Sequence, residues 1–401
     1  MSLMSSSSLR RPALARATAP VILLTAVLAA LPASADIGSL RWEQWHSQAG
    51  VVDVAGPLST GELVVAAGHH LFRLSPGGGE SELAPAYAVS PLAPPPGSEP
   101  YIAVAPPEVS GTSCPFVRDT VFAIRPATPG SVVRIDLAGR VDTFVSLPDS
   151  GGLNGITFDT VGRFGHRLLV TGALPGDHTA VVAIDCHGSA TTLTRTGPRL
   201  EGGVQVAPAS FPGYGGDLIA PDELSGRVVA VDPSGDSAVV AESQVPAGGD
   251  TGVEGVAFVP PGFLSGGHAY TADRGTPGSP HPGTDTLLRL PAPSFASAGA
   301  HEGDMLLVTE ASDLIVDIHC DHGCTARTLG MGAEPAHGEG HLLLVADHPR
   351  PPATAAATVG GGGGGGHAGT VLTVIAAVLI GGAAVLLAAT VSRRRRARSR
   401  S

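Results

Sequence analysis

Between Val51 and Asp347 the apolar positions come in short runs, cut by turns rich in Gly, Pro and Asp. VVDVA (51–55), ELVVAA (62–67), YIAVA (101–105), VVRIDL (132–137), GRVVAVD (226–232), EGVAFV (254–259) and DLIVDI (313–318) are examples. None of the segments between them keeps the spacing of an amphipathic helix. Short β-branched runs at regular intervals predict an all-β domain, with sandwich, barrel and propeller as the options.

An internal repeat chooses among these. The phrases Asn154–Phe158, Glu201–Val206 and Glu254–Val259 begin 47 and 53 residues apart. Weaker copies start at Glu99 and Glu339. After each strong copy comes a turn and then a second apolar run: RLLVTGA (167–173), DLIAPDE (217–223) and HAYTADR (268–274). A unit of this length with about four strands is a propeller blade, and a sandwich has no reason to repeat its sequence. The prediction is a six-bladed β-propeller, with five or seven blades as alternatives. Units fall near 50–97, 99–149, 154–200 and 201–250. The stretch 254–330 is too long for one blade and carries extra strand-like runs at 285–290 and 304–310. The final strand, 340–346, is expected to pair with an N-terminal strand near 40–46 and so remove the open edges.

The two ends predict location. Residues 1–35 read as a cleaved signal: basic Arg10, Arg11 and Arg16, an apolar run, and Ala33-Ser34-Ala35 as the cleavage site. Residues 370–391 lack ionisable side chains, and about 21 helical residues span a bilayer core. The arginine-rich tail 392–401 should stay cytoplasmic. Between propeller (36–348) and membrane helix, the Pro/Ala/Gly-rich segment 349–369 cannot build a core and reads as a flexible tether. The expected setting is a single-pass protein of a cell membrane, N-terminus outside and C-terminus cytoplasmic. All 24 basic residues are arginine, a usage that suggests a GC-rich genome and an actinomycete-like bacterial cell surface.

Charge and cysteine narrow the partners. The signal holds three arginines and the tail six, which leaves 15 against all 35 acids, a difference of −20. Such a domain is repelled by nucleic acid and suits cations or neutral ligands. The bilayer is its partner through the C-terminal helix; the other expected partner is an extracellular ligand or protein. Four cysteines in an exported chain predict two disulfides. Cys320 with Cys324 is the simplest pair, leaving Cys114 with Cys186, though three connectivities are open. With the thiols oxidised, a zinc site combining these cysteines with His319 and His322 is disfavoured.

The candidate chemistry lies in the residues that open the inner strands: Glu99, Asn154, Glu201, Glu254 and Glu339. Corresponding positions in a propeller converge on the central channel. Oxygens gathered there would repel one another unless a divalent cation sat between them, and Ca2+ tolerates such a ring best. The alternative is that they cap strands and bind channel water. The acids that close the second runs, Asp222-Glu223, Asp273, Glu310 and Asp347, read as turn-forming. His337, Glu339 and His341 (HGEGH) would share one side of an extended strand, a weaker transition-metal candidate. There is no G-x-S-x-G elbow, no H-E-x-x-H and no P-loop, so no catalytic residue can be assigned.

The run DLIAPDELSGRVVAVDPSG (217–235) resembles the second and third strands of a blade in NHL-type propellers, a class that includes the SMP-30/gluconolactonase family. The resemblance spans roughly residues 50–347. It implies one divalent ion held in the channel by Glu, Asn and Asp side chains, and lactone or ester hydrolysis. No Asp here aligns with the family's base. The expected function is therefore binding of a ligand or partner on the ring face, with a structural ion such as Ca2+; the alternative is a metal-dependent extracellular lactonase or esterase.

Overall fold

A computed structural model describes residues 40–107, 112–330 and 336–349. It is a six-bladed propeller of six four-stranded antiparallel sheets. Blade 1 comprises Val51–Ala55, Leu63–Ala67, His70–Leu74 and Glu80–Glu82. Blade 2 comprises Ile102–Val104, Val121–Arg125, Gly130–Ile135 and Val141–Leu147. Blade 3 runs through Gly152–Phe158, Leu168–Leu174, His178–Ile184 and Ala190–Gly197, and blade 4 through Gln205–Val206, Leu218–Asp222, Arg227–Val231 and Ser237–Glu242. These four blades follow the sequence units closely. Among the described residues no helix is long and apolar enough to cross a membrane. The predicted signal, the tether from residue 350, the membrane span and the tail lie outside the described residues.

Burial follows each strand's place in its blade. Strand Val51–Ala55 is buried along its whole length, because a neighbouring sheet covers each face. The outermost strand Ala190–Gly197 is largely exposed and correspondingly rich in threonine. The third-to-fourth-strand hairpins of blades 2, 3 and 4 share one device. Oδ1 of Asp136, Asp185 and Asp232 accepts two backbone amides each, from residues 138 and 140, 187 and 189, and 234 and 236. A short carboxylate capping its own turn is what Asp does better than other residues.

Blades 5 and 6 depart from the expected order. Blade 5 opens with Val253–Phe258, but its remaining strands are Met305–Thr309, Ile315–Cys320 and Cys324–Thr328. Between the first and second of these, the chain crosses to build the middle of blade 6, Gly267–Asp273 and Thr286–Pro291. It later returns with Gly338–Ala346 as the innermost strand of blade 6. HAYTADR is thus the second strand of blade 6, not of the unit begun at Glu254. This interleaving accounts for the excess length of 254–330. The closure also differs from expectation. Glu43–Ser47 does join the sheet of the terminal strand, but it pairs with Thr286–Pro291 at the outer edge, two strands away from Gly338–Ala346.

Separate apolar clusters fill the clefts between blades. Phe116, Phe122 and Phe158 meet edge to face between blades 2 and 3, with centroids 4.9–5.6 Å apart. Phe263 and Phe295, both fully buried, anchor the interleaved side together with Leu40, Leu290 and Leu306. Both disulfides form as the spacing suggested: Cys114–Cys186 ties the segment before blade 2's second strand to blade 3, and Cys320–Cys324 closes the outer hairpin of blade 5.

Candidate functional site

Antiparallel pairing makes each inner strand begin where the second strand of its blade ends, so both sets of acids reach the same mouth of the channel. Val253 lies opposite Thr309, which sets Glu254 beside Glu310. Gly338 lies opposite Asp273, which sets His337 and Glu339 beside Arg274. The Glu201 amide donates to Pro221 O at 3.1 Å, which sets Glu201 beside Asp222 and Glu223. Among the described residues, six glutamates (Glu99, Glu201, Glu223, Glu254, Glu310 and Glu339) and three cationic side chains (Arg199, Arg274 and His337) form this acidic mouth.

Two glycines permit the close approach. Gly202 has φ 73°, and a Cβ there would stand 2.1 Å from Glu254 O. Gly340 has φ 66°, and a Cβ would stand 2.5 Å from Asp53 Oδ1. Positive φ at Gly340 also makes an irregularity in the strand Gly338–Ala346, where the register to its neighbour shifts. His337 and Glu339 therefore face the mouth, while His341 turns into the channel, and the three do not share one ligand position.

The ion pairs are unevenly distributed. Arg274 Nη1 binds Glu99 and, at 2.7 Å, Glu339. Arg199 binds Glu201, with Glu223 Oε2 3.4 Å away. His337 Nε2 lies 3.1 Å from Glu310 and 3.7 Å from Glu339. Among the described residues no cation is paired with Glu254, which is 3% exposed. Its Oε1 accepts the Gly340 amide at 3.0 Å and lies 3.0 Å from the Tyr101 hydroxyl, which is 3.1 Å from Glu339 Oε2. One hydroxyl proton serves only one of these carboxylates at a time. Glu339 also has Arg274 beside it, whereas Glu254 has these two neutral donors.

Shifted acidities follow from the same crowding. Burial, then the charges of Glu339, Glu310, Glu201 and Glu99, hold the Glu254 carboxyl well above its usual range. Burial and hydrogen bonding to Glu310 push Glu223 up to about 9. Burial and Glu339 push Glu99 up to about 7, against the pull of Arg274. Burial opposes charge on His337, but the hydrogen bonds and charges of Glu310 and Glu339 outweigh it and raise the imidazole to about 10. Like charges gathered in a poorly hydrated cup are relieved by proton uptake, as these directions show.

Below the mouth the channel has a floor. His341 Nδ1 lies 2.9 and 3.0 Å from the two oxygens of Asp53, and its Nε2 lies 3.0 Å from Ile156 O. Both ring nitrogens face acceptors, an arrangement that fits the doubly protonated ring. Burial opposes that charge, but Asp53 overcomes it and raises the pKa. Past this floor a cavity of about 160 Å3 is lined by Val54, Ile102, Phe158, Thr157 and Gln205, among others. The two ends of the channel thus differ sharply in character.

Of the sequence candidates, Glu99, Glu201, Glu254 and Glu339 share the acidic mouth. Asn154 is engaged within its surroundings: Nδ2 donates to Leu200 O at 2.8 Å and Oδ1 accepts from Thr171 at 3.0 Å. The second-strand acids divide. Asp222 accepts Ser225 in its own turn, and Asp273 accepts Thr284 and the His337 amide of the neighbouring strand, whereas Glu223 and Glu310 stand in the mouth. Arg199, Arg274 and Tyr101 were not singled out from sequence. The signal was available for Arg274 alone, an arginine directly after the acid that ends HAYTAD.

No family model matches the chain, and no curated protein matches it. Solved structures do. A nidogen/laminin complex chain matches at 11% identity and TM-score 0.45, covering 74% of this chain and 86% of that one. Virginiamycin B lyase from Staphylococcus aureus matches at 11% identity and TM-score 0.42, covering 71% and 73%. A streptogramin B lyase matches at 12% identity and TM-score 0.40, covering 75% and 91%. The six-bladed propeller is shown by the sheets themselves, and with likenesses this distant function has to be argued from the site's own residues.

Proposed function

We propose that the chain is a membrane-tethered extracytoplasmic propeller that binds a ligand or partner through its acidic mouth, with a divalent cation such as Ca2+ seated among the glutamates. One observation carries this reading: six glutamates face three cationic side chains, and Arg274 and Arg199 are already committed to Glu99, Glu339 and Glu201. The excess carboxyl groups lie on the side of Glu223, Glu310 and Glu254, and a cation there would replace the protons that crowding favours on Glu223 and Glu254. Hard cations prefer such oxygen-rich surroundings. The two disulfides support an oxidising compartment.

The test is Ca2+ titration of the purified full-length chain, followed by thermal denaturation and metal analysis. Ca2+ should raise the melting temperature of the wild type, more at pH 8 than at pH 5 because protons compete for the same oxygens. Glu310→Gln should blunt the rise. An identical melting temperature with Ca2+ and with chelator at both pH values would overturn the reading.

A second reading, extracellular metal-dependent lactone or ester hydrolysis, is favoured by Glu99 alone. This carboxyl is 41% exposed at the rim and shifted to about 7, suited to moving a proton at neutral pH. Turnover of a lactone and ester panel that survives Glu201→Gln and Glu99→Gln would eliminate it.

A further inference from the structure

A second cluster lies on blade 5, away from the acidic mouth. Asp304 directly precedes strand Met305–Thr309, whose far end leads to Glu310. Six residue steps separate Asp304 from Glu310 by about 20 Å at roughly 3.3 Å each. Around Asp304 gather His301 from the preceding loop and His319 from Ile315–Cys320. His319 Nδ1 lies 2.7 Å from Asp304 Oδ1, and His301 Nδ1 lies 3.3 Å from Asp304 Oδ2. The three potential ligand atoms fall within 4.8 Å of one another. The imidazoles are 55% and 71% exposed while Asp304 is only 4% exposed, so a buried carboxylate lies beneath two solvent-facing nitrogens.

The surroundings favour a cation. Asp317, 2% exposed, lies within hydrogen-bonding reach of Asp304, and its Oδ1 has no hydrogen-bond partner. Its other oxygen takes Arg327 Nη2 at 2.6 Å. A buried carboxylate oxygen without a donor is costly, and a metal ion beside Asp304 would supply the missing positive charge. The site is also held in place. Arg327 donates to Ala298 O at 2.7 Å and Gly299 O at 3.0 Å, fixing the loop that carries His301, while the Cys320–Cys324 disulfide closes the turn after His319.

We propose that His301, His319 and Asp304 form a site for a borderline transition-metal ion, of which Zn2+ is the representative, on the periphery of blade 5. Two imidazole nitrogens and one carboxylate select such an ion over Ca2+. Ligand atoms around tetrahedral zinc sit about 3.3 Å apart, given bonds of about 2.0–2.1 Å. The His301 Nδ1–Asp304 Oδ2 separation already meets this, while His319 Nδ1, held on the other oxygen of Asp304, would move outward as its hydrogen bond gives way to the metal. Solvent fills the remaining position. Bound metal would clip the loop before Met305 to the third strand of the same blade. His322, beside the same disulfide, is 98% exposed and has Asp321 as its neighbour at 3.7 Å, and it takes no part.

The test uses the full-length chain without a polyhistidine tag, stripped with chelator and titrated with Zn2+ and Co2+. With excess Ca2+ present to fill the acidic mouth, one equivalent should bind, with a Co2+ visible absorption band. His301→Ala and His319→Ala should each weaken binding at least about tenfold, as loss of a ligand requires. Their melting temperatures in chelator should match the wild type, and His337→Gln in the acidic mouth should leave binding intact. Absence of saturable Zn2+ binding, binding that survives either histidine substitution, or binding lost in His337→Gln would each overturn the proposal. Because the acidic mouth is probed by different residues, failure of one site leaves the other standing.

Discussion

Blade 3 takes its four strands from the unbroken stretch 152–197, and each strand pairs with the next. Blades 5 and 6 instead divide residues 253–346 between them, with two strands of blade 6 set between the first and second strands of blade 5. Glu43–Ser47 then completes blade 6 from the other end of the chain. The contiguous blade can in principle open alone, held to its neighbours by side-chain packing and one disulfide. The interleaved pair cannot, because separating either blade requires the connecting segments of the other to move. The acidic mouth follows this division: Glu254, Arg274, Glu310, His337 and Glu339 all come from the interleaved stretch, whereas blade 3 contributes the internally satisfied Asn154. Crossing the chain between blades brings Arg274 and Glu339 together although 65 residues separate them.

The largest expected effect comes from breaking the core that both interleaved blades share. Phe295→Ala removes a fully buried ring packed 5.7 Å from Phe263. It should cost about 3–5 kcal/mol in chemical denaturation, the usual range for a buried phenylalanine. Amide exchange should accelerate together in Gly267–Asp273 and Met305–Thr309, one strand from each blade. Acceleration in only one of them would mean that the two blades open independently.

The disulfides sharpen the contrast at smaller magnitude. Cys114–Cys186 closes a separation of 72 residues and Cys320–Cys324 one of four. On the loop-entropy argument their removal costs about 4 and about 2 kcal/mol respectively. The double substitution Cys114→Ala/Cys186→Ala should therefore lower stability more than Cys320→Ala/Cys324→Ala. Equal losses would show that native contacts, rather than the unfolded chain, set the value of each bridge.

The last test is of pH. Glu223 and Glu99 have folded pKa values of about 9 and about 7 against an ordinary 4.5. Between the ordinary and the raised values the folded chain binds more protons than the unfolded one, so stability must fall as pH rises through this window. His337, raised to about 10 from 6.5, adds a loss of the same sign on the alkaline side. Melting temperature should decline from pH 5 towards pH 9, and Glu223→Gln should flatten that decline. A melting temperature that rises over this interval would contradict the protonated mouth.

Much of the propeller was legible from the chain because strand burial is local. Runs such as VVDVA and RLLVTGA must be strands covered on both faces, and their regular recurrence makes blades. The hairpin phrases DLAGR (136–140), DCHGS (185–189) and DPSGD (232–236) carry the same aspartate-capped turn, and they mark blades 2 to 4 as plainly as the inner-strand copies do. Four of the five inner-strand candidates were legible as mouth residues for a related reason. Position along a repeated unit fixes which end of the channel a side chain approaches.

Pairing across the ring was not legible. Periodicity shows that HAYTADR is a second strand, but it does not say whose, because hydrogen-bonding edges are alike from blade to blade. Charge partners depend on that choice: Arg274 neutralises Glu99 and Glu339 only once blade 6 has been assembled from three separate segments. Whether Glu223 and Glu310 cap turns or share a proton depends on how far apart neighbouring blades hold them. Local sequence therefore determined the blades and the acidity of the chain. Only tertiary packing decided which acids meet, since electrostatic coupling is set by distance in space and burial, neither of which a linear pattern contains.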